Sequence, residues 1–146
     1  MEKARVLIVD EHREVLSSLH QLLESEESSE VVGVAMSGAD AIEQARLLHP
    51  DVVLIDFPMS DIDGIEAAST IRSENPATDV IILSVFEAGD NSGRARRAGV
   101  LRWIPKCFPP ERLLMELRGL VAQRHEDAWL PTNEARGVEE YWQGLR

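Results

Sequence analysis

Three acids, a hydroxyl and an amine stand at the ends of short apolar runs in this sequence. Asp10 and Glu11 follow Val6 to Val9, Asp56 follows Val52 to Ile55, Ser84 follows Val80 to Leu83, and Lys106 lies just past Val100 to Ile104. Carboxylates gathered at one place repel one another unless something neutralises them. A hard divalent cation does so: magnesium favours oxygen ligands, keeps several waters and is commonly held by a few carboxylates together with phosphate oxygens. A carboxylate can also accept a phosphoryl group to form an acyl phosphate. Lysine then places positive charge opposite an equatorial oxygen, and serine donates its hydroxyl to another. The chemistry in view is magnesium-assisted phosphoryl transfer to Asp56, with Asp10, Glu11 and Asp56 at the metal and Ser84 and Lys106 on the phosphoryl oxygens. Each residue alone has an ordinary explanation, since Asp10 or Asp56 can cap a helix, Ser84 can satisfy a loop amide and Lys106 can be solvated. Together they argue for more, because a passive protein has no need to collect them at one rim.

For these residues to meet, the runs that precede them must be neighbouring strands pointing the same way. Five runs recur, the four named above and Val31 to Met36, and three of them are four consecutive β-branched or leucine residues, the pattern of strands buried on both faces. That predicts a parallel sheet with covering helices. Val15, Leu16, Leu19, Leu22 and Leu23 paint one face of a first helix. Ala41, Ile42, Ala45 and Leu48 form a second behind the cap chemistry of Ser37, Gly38 and Asp40. Asp63-Gly64 opens a third, carrying Ile65, Ala68 and Ile71, which Asn75-Pro76 ends. Pro109-Pro110 starts a last one with Leu113, Leu114, Leu117, Leu120 and Val121 on one stripe. The fourth segment, Glu87 to Gly99, has two interior glycines, each costing ~1 kcal/mol against alanine, and little to bury beyond Ala88, Ala95 and Ala98. A short, frayed or mobile helix is expected there. Doubly wound sheets bind ligands at the carboxyl ends of their strands near the switch in strand order, which is where the five polar residues fall.

The 146 residues suffice for one domain with one core, expected over 1–124, with a polar tail over 125–146 too short for a second. That tail holds Trp129, Pro131, Tyr141 and Trp142; Thr132 offers a cap for a short helix through Glu139 and Tyr141, which would dock on the domain or on a partner. Hydrophobic residues at 44% and charged residues at 28% are ordinary globular usage. No apolar stretch approaches the ~20 residues of a membrane span, and Met1 to Arg5 leads straight into a strand-like run rather than a secretory leader. The single cysteine, Cys107, forms no internal disulfide or thiolate cluster and suits a reducing, cytoplasmic interior. A formal net charge of -11 argues against direct nucleic-acid binding.

The arrangement resembles the receiver domain of bacterial two-component response regulators over roughly Lys3 to Arg124. The resemblance rests on Val6-Leu7-Ile8-Val9-Asp10-Glu11-His12, Pro50-Asp51-Val52-Val53-Leu54-Ile55-Asp56, Asp63-Gly64, Val80-Ile81-Ile82-Leu83-Ser84, and Ala98-Gly99 followed by Trp103-Ile104-Pro105-Lys106. It implies a flavodoxin-like α/β fold, a doubly wound five-stranded parallel sheet in the order 2-1-3-4-5 with five helices. By position it makes Asp56 the phosphorylation site and gives Asp10, Glu11, Asp56 and the carbonyl of Pro58 to Mg2+. Ser84 matches the hydroxyl position, Lys106 the phosphate-contacting lysine and Trp103 the aromatic switch position. The family usually has Asp where Glu11 stands, proline where Ser60 follows Met59, and proline after Lys106, where this chain has Cys107.

The expected protein is a stand-alone phosphoacceptor switch rather than an enzyme, with at most self-phosphorylation and self-dephosphorylation chemistry. Its partners would be a sensor histidine kinase or histidine phosphotransfer protein and a downstream protein target, without membrane contact and with a homodimer allowed. One rival is a degenerate receiver that binds proteins without phosphorylation. The other is a haloacid-dehalogenase-like phosphatase, which carries its nucleophile after the first strand and a second acid two residues later; here that place is His12. Among neighbouring residues, Trp103 reads equally as core aromatic or switch. Arg94, Arg96 and Arg97 read as a solvated face before a patch for an acidic partner, His12 as a surface residue before a contact to the acidic pair beside it, and Phe86 as packing or as a shield over the acyl phosphate.

Overall fold

The computed structural model describes residues 3–106, 110–126 and 138–144. Strands β1 (Ala4–Val9), β2 (Ser29–Ala35), β3 (Val52–Phe57), β4 (Asp79–Ser84) and β5 (Arg102–Pro105) alternate with helices α1 (Arg13–Glu24), α2 (Gly38–Leu48), α3 (Gly64–Glu74) and α4 (Ser92–Arg97), followed by α5 (Pro110–Glu126) and α6 (Val138–Gly144). Every strand pairing is parallel and the order is β2-β1-β3-β4-β5, as expected.

The central strands are apolar without alternation because both of their faces are covered. Val6 to Val9, Val52 to Ile55 and Val80 to Ile82 are at most 1% exposed. The edge strand β2 keeps one face wet, and its Val34 is 42% exposed. α1 turns Leu16 and Leu23 into the core, with Leu19 and Leu22 packed against it. α2 starts where the Ser37 hydroxyl accepts the Asp40 N–H at 3.0 Å, and α3 where Asp63 accepts the Glu66 N–H at 2.8 Å. Each cap satisfies one of the orphan donors of a helix start. α5 buries Leu113, Leu117, Leu120 and Val121 on the expected stripe. Cys107 and Thr132 lie outside the described residues.

α4 has only six residues, preceded by a 3-10 turn at Gly89–Asn91, and Ala95 is its one buried side chain. Arg94 donates to the Asp63 carboxylate at 2.9 Å, tying α4 to the start of α3, and α6 packs on it as well. Among the described residues no helix is long and apolar enough to cross a membrane. With so little apolar surface holding it, α4 should open locally far below the global unfolding free energy. Native-state amide exchange across 87–99 should therefore be faster than in α1, α2 and α3, and protection equal to theirs would contradict this.

Candidate functional site

Parallel pairing brings the carboxyl ends of β1, β3, β4 and β5 to one rim, and Asp10, Asp56, Ser84 and Lys106 meet there. The Lys106 ammonium donates to Asp10 Oδ2 at 2.7 Å and to Asp56 Oδ1 at 2.6 Å. Asp10 and Asp56 are 1% and 6% exposed. The backbone sets this geometry: the Lys106 N–H donates to the Ser84 carbonyl at 2.7 Å, and the Asp10 N–H to the Ala35 carbonyl at 3.1 Å. Gly64 matters for the same reason, since a Cβ there would stand 2.7 Å from the Asp56 carbonyl oxygen, so the start of α3 closes against the β3 end only with glycine.

Two carboxylates share one ammonium, and their environments divide them. Burial pushes the Asp56 carboxyl up; the Lys106 hydrogen bond pulls it down, and repulsion from Asp10 leaves it above the ordinary 3.8. Burial also opposes ionisation of Asp10, but donors from Lys106 and from the His12 backbone and ring outweigh it and hold Asp10 below 3.8. Those His12 contacts are both 2.9 Å from Asp10 Oδ1. For Lys106, burial disfavours the charge, yet hydrogen bonds to both aspartates raise its pKa. The same ammonium thus serves two carboxylates unequally, with the Asp10 carboxyl held below its ordinary value and that of Asp56 above it.

Ser84 is fully buried beside them, donating its hydroxyl to the Phe57 carbonyl at 2.8 Å and accepting the Phe86 N–H at 3.0 Å. Trp103 is buried, its ring 5.0 Å from that of Phe57 and its Nε1–H donating to the Phe86 carbonyl at 2.8 Å. Phe86 itself is 59% exposed. Glu11 is placed differently from Asp10: its carboxylate accepts the Ser60 N–H and hydroxyl, which lowers its pKa. Pro58, exposed in the loop after β3, follows a cis Phe57–Pro58 bond.

The cluster suits a hard cation. One ligand atom each from Asp10, His12 and Asp56 lies within 4.8 Å of the others, and Lys106 already occupies that negative corner with positive charge. The two aspartates supply the carboxylate oxygens that magnesium takes, whereas the His12 ring nitrogen is engaged with Asp10.

The model of the response regulator receiver domain matches residues 6–118. This chain belongs to the response regulator receiver family. VraR of Staphylococcus epidermidis, a response regulator protein, is 39% identical over 102 residues, 70% of this chain and 49% of the relative. The chain thus spans about half the length of the curated relatives it matches. The receiver domain of NarL from Mycobacterium tuberculosis superimposes with a TM-score of 0.79 at 27% identity, covering 85% of this chain and all of that one. The response regulator domain of Thermotoga maritima CheB gives 0.73 at 30% identity, covering 84% and 96%. Phosphorylation and magnesium binding are characteristic of this receiver family.

Some contacts of this receiver were not expected from sequence. Ser60 holds Glu11, and Asp61 accepts the Gly38 and Ala39 N–H groups at 3.0 Å, bracing the loop after β3 against the start of α2, while His12 takes the less favoured of its two readings and bonds Asp10. A polar residue in a loop gives no local signal of a bridge to a distant part of the chain.

Because the Asp56 pKa is raised, the folded receiver retains a proton that the unfolded chain has lost between 3.8 and the raised value. Stability contributed by this group therefore falls as pH rises through that window. Asp56→Asn removes the cost, so in metal-free buffer it should raise the urea midpoint near neutral pH, with the gain fading as pH falls toward 3.8. A lower midpoint near neutrality would contradict this assignment.

Proposed function

We propose that Asp56 accepts a phosphoryl group from the phosphohistidine of a sensor histidine kinase or phosphotransfer protein, and that the receiver passes the change to a downstream protein through surface contacts. The observation that carries this reading is the Lys106 ammonium bridging two buried carboxylates contributed by different strands. A solvated lysine has no reason to lie there. The Asp56 carboxylate attacks phosphorus, a P–O bond forms as the P–N bond to the donor imidazole breaks, and the imidazole nitrogen keeps the electron pair. Lys106 remains on Asp10 and on an equatorial oxygen, and Ser84 turns its hydroxyl from the Phe57 carbonyl to another oxygen.

Magnesium would be held by Asp10, Asp56 and the Pro58 carbonyl, and when bound it supplies positive charge for the transferring group. Glu11 is engaged by Ser60; in this reading it contacts the ion through water or after leaving that loop. The same engagement favours a second reading, a degenerate receiver that binds its partner without phosphorylation. In the first reading the protein is a switch whose enzymatic repertoire is limited to gaining and losing its own phosphoryl group. The domain spans 1–124, and 125–146 is an appended tail.

Incubation with magnesium and a small phosphodonor, followed by intact mass and peptide mapping, separates these readings. The first predicts one labile, hydroxylamine-sensitive phosphoryl group on Asp56, absent in Asp56→Asn. No labelling, or labelling that persists in the variant, would overturn it.

A further inference from the structure

Helix α6 covers the outer edge of the sheet next to this site. β5 is an edge strand, so the backbone groups of Trp103 have no neighbouring strand on one side. The Tyr141 hydroxyl takes their place: it accepts the Trp103 N–H and donates to the Trp103 carbonyl, both at 2.9 Å. Burial holds the Tyr141 phenol above its ordinary pKa, keeping that donor. Next to it Trp142 is 2% exposed and donates its indole N–H to the Val100 carbonyl at 2.8 Å. The Arg102 guanidinium sits 4.6 Å from the centroid of the Tyr141 ring, and α6 packs against α4. This is a built dock of two aromatic anchors, each with a specific backbone acceptor.

The residue it grips is the one that reports on Asp56. Trp103 packs at a tilt against Phe57, the neighbour of Asp56, and donates to the Phe86 carbonyl; the Phe86 N–H donates to Ser84, and Ser84 donates to the Phe57 carbonyl. If Ser84 turns to a phosphoryl oxygen, the Phe57 carbonyl loses its donor and the Phe86 N–H loses its acceptor. The chain segment carrying Phe86 is then free to shift, and with it the hydrogen bond that orients Trp103. A phenol that must meet both the N–H and the C=O of Trp103 tolerates little displacement, because hydrogen bonds weaken steeply with misalignment.

We infer that α6 is an intramolecular latch on the β5 edge, docked when Asp56 is unmodified and released when Asp56 carries a phosphoryl group. The inference rests on the assignment of Asp56 as acceptor. Coupling of this kind is reciprocal: the factor by which phosphorylation weakens docking is the factor by which docking weakens the phosphorylated state. The docked helix thus raises the threshold for activation and hides the β5 edge and its α4 flank from a partner.

The test uses the full chain, magnesium and beryllofluoride as the acyl-phosphate mimic. Amide exchange in 138–144 should speed up when the mimic binds. Tyr141→Phe, which removes only the hydroxyl, should bind the mimic about fivefold or more tightly than the parent, the lower end of ordinary allosteric coupling. Trp142→Ala should do the same, with circular dichroism confirming that the domain stays folded. If mimic binding is unchanged in Tyr141→Phe and exchange in 138–144 is unaffected or slowed, the latch is refuted while the acceptor assignment stands. If the parent and both variants all fail to bind the mimic, the acceptor assignment itself fails and the latch with it.

Discussion

Two carboxylates and one ammonium share a corner from which most water is removed, and the rest of the structure is organised around keeping them there. A buried unpaired carboxylate would cost several kcal/mol, so Asp10, with donors from His12 as well as Lys106, is the stable member of the pair. Asp56 has less support, and burial and repulsion from Asp10 hold its carboxyl above the ordinary value. With both ionised, two carboxylates against one ammonium leave net negative charge at the rim, which a cation relieves. Close packing of β1, β3 and β4 makes that corner rigid, because their interior residues leave no slack for the strand ends to drift apart.

Much of this was legible in the sequence because strand burial and strand-end chemistry are local signals. Four-residue runs such as Val52 to Ile55 read as strands covered on both faces, and a parallel sheet puts their carboxyl ends on one rim whatever the loops do. The short α4 was legible too, from its glycines and its lack of aliphatic residues. What escaped was the set of contacts that depends on how loops fold back. Glu11 looks from sequence like the twin of Asp10, yet the loop after β3 offers it the Ser60 amide and hydroxyl. Asp61 caps α2 from another part of the chain, a contact with no local sequence signal. Tyr141 meets Trp103 across 38 positions, on a sheet edge whose existence follows only from the completed strand order.

The two aromatic layers also explain why Trp103 did not have to be either core or switch. It is buried against Phe57 as a core residue would be. Its polar atoms nevertheless all engage groups that can change partners, namely the Phe86 carbonyl and the Tyr141 hydroxyl. In the proposed latch, a core side chain wired in this way carries a small displacement at Ser84 to the surface without the core itself loosening. That is the usual economy of two-state elements in packed proteins, where small shifts are amplified by alternatives rather than by elastic deformation.

In the proposed reading Asp10 and Asp56 form one cation-binding corner, and the positive charge of Lys106 already offsets part of what a divalent ion would gain there. Calorimetric titration of magnesium into the parent and into Lys106→Met measures it directly. The account predicts tighter magnesium binding in Lys106→Met, because both carboxylates lose their internal counter-charge, and loss of binding in Asp10→Asn. Unchanged affinity in Lys106→Met, or binding that survives Asp10→Asn, would contradict it.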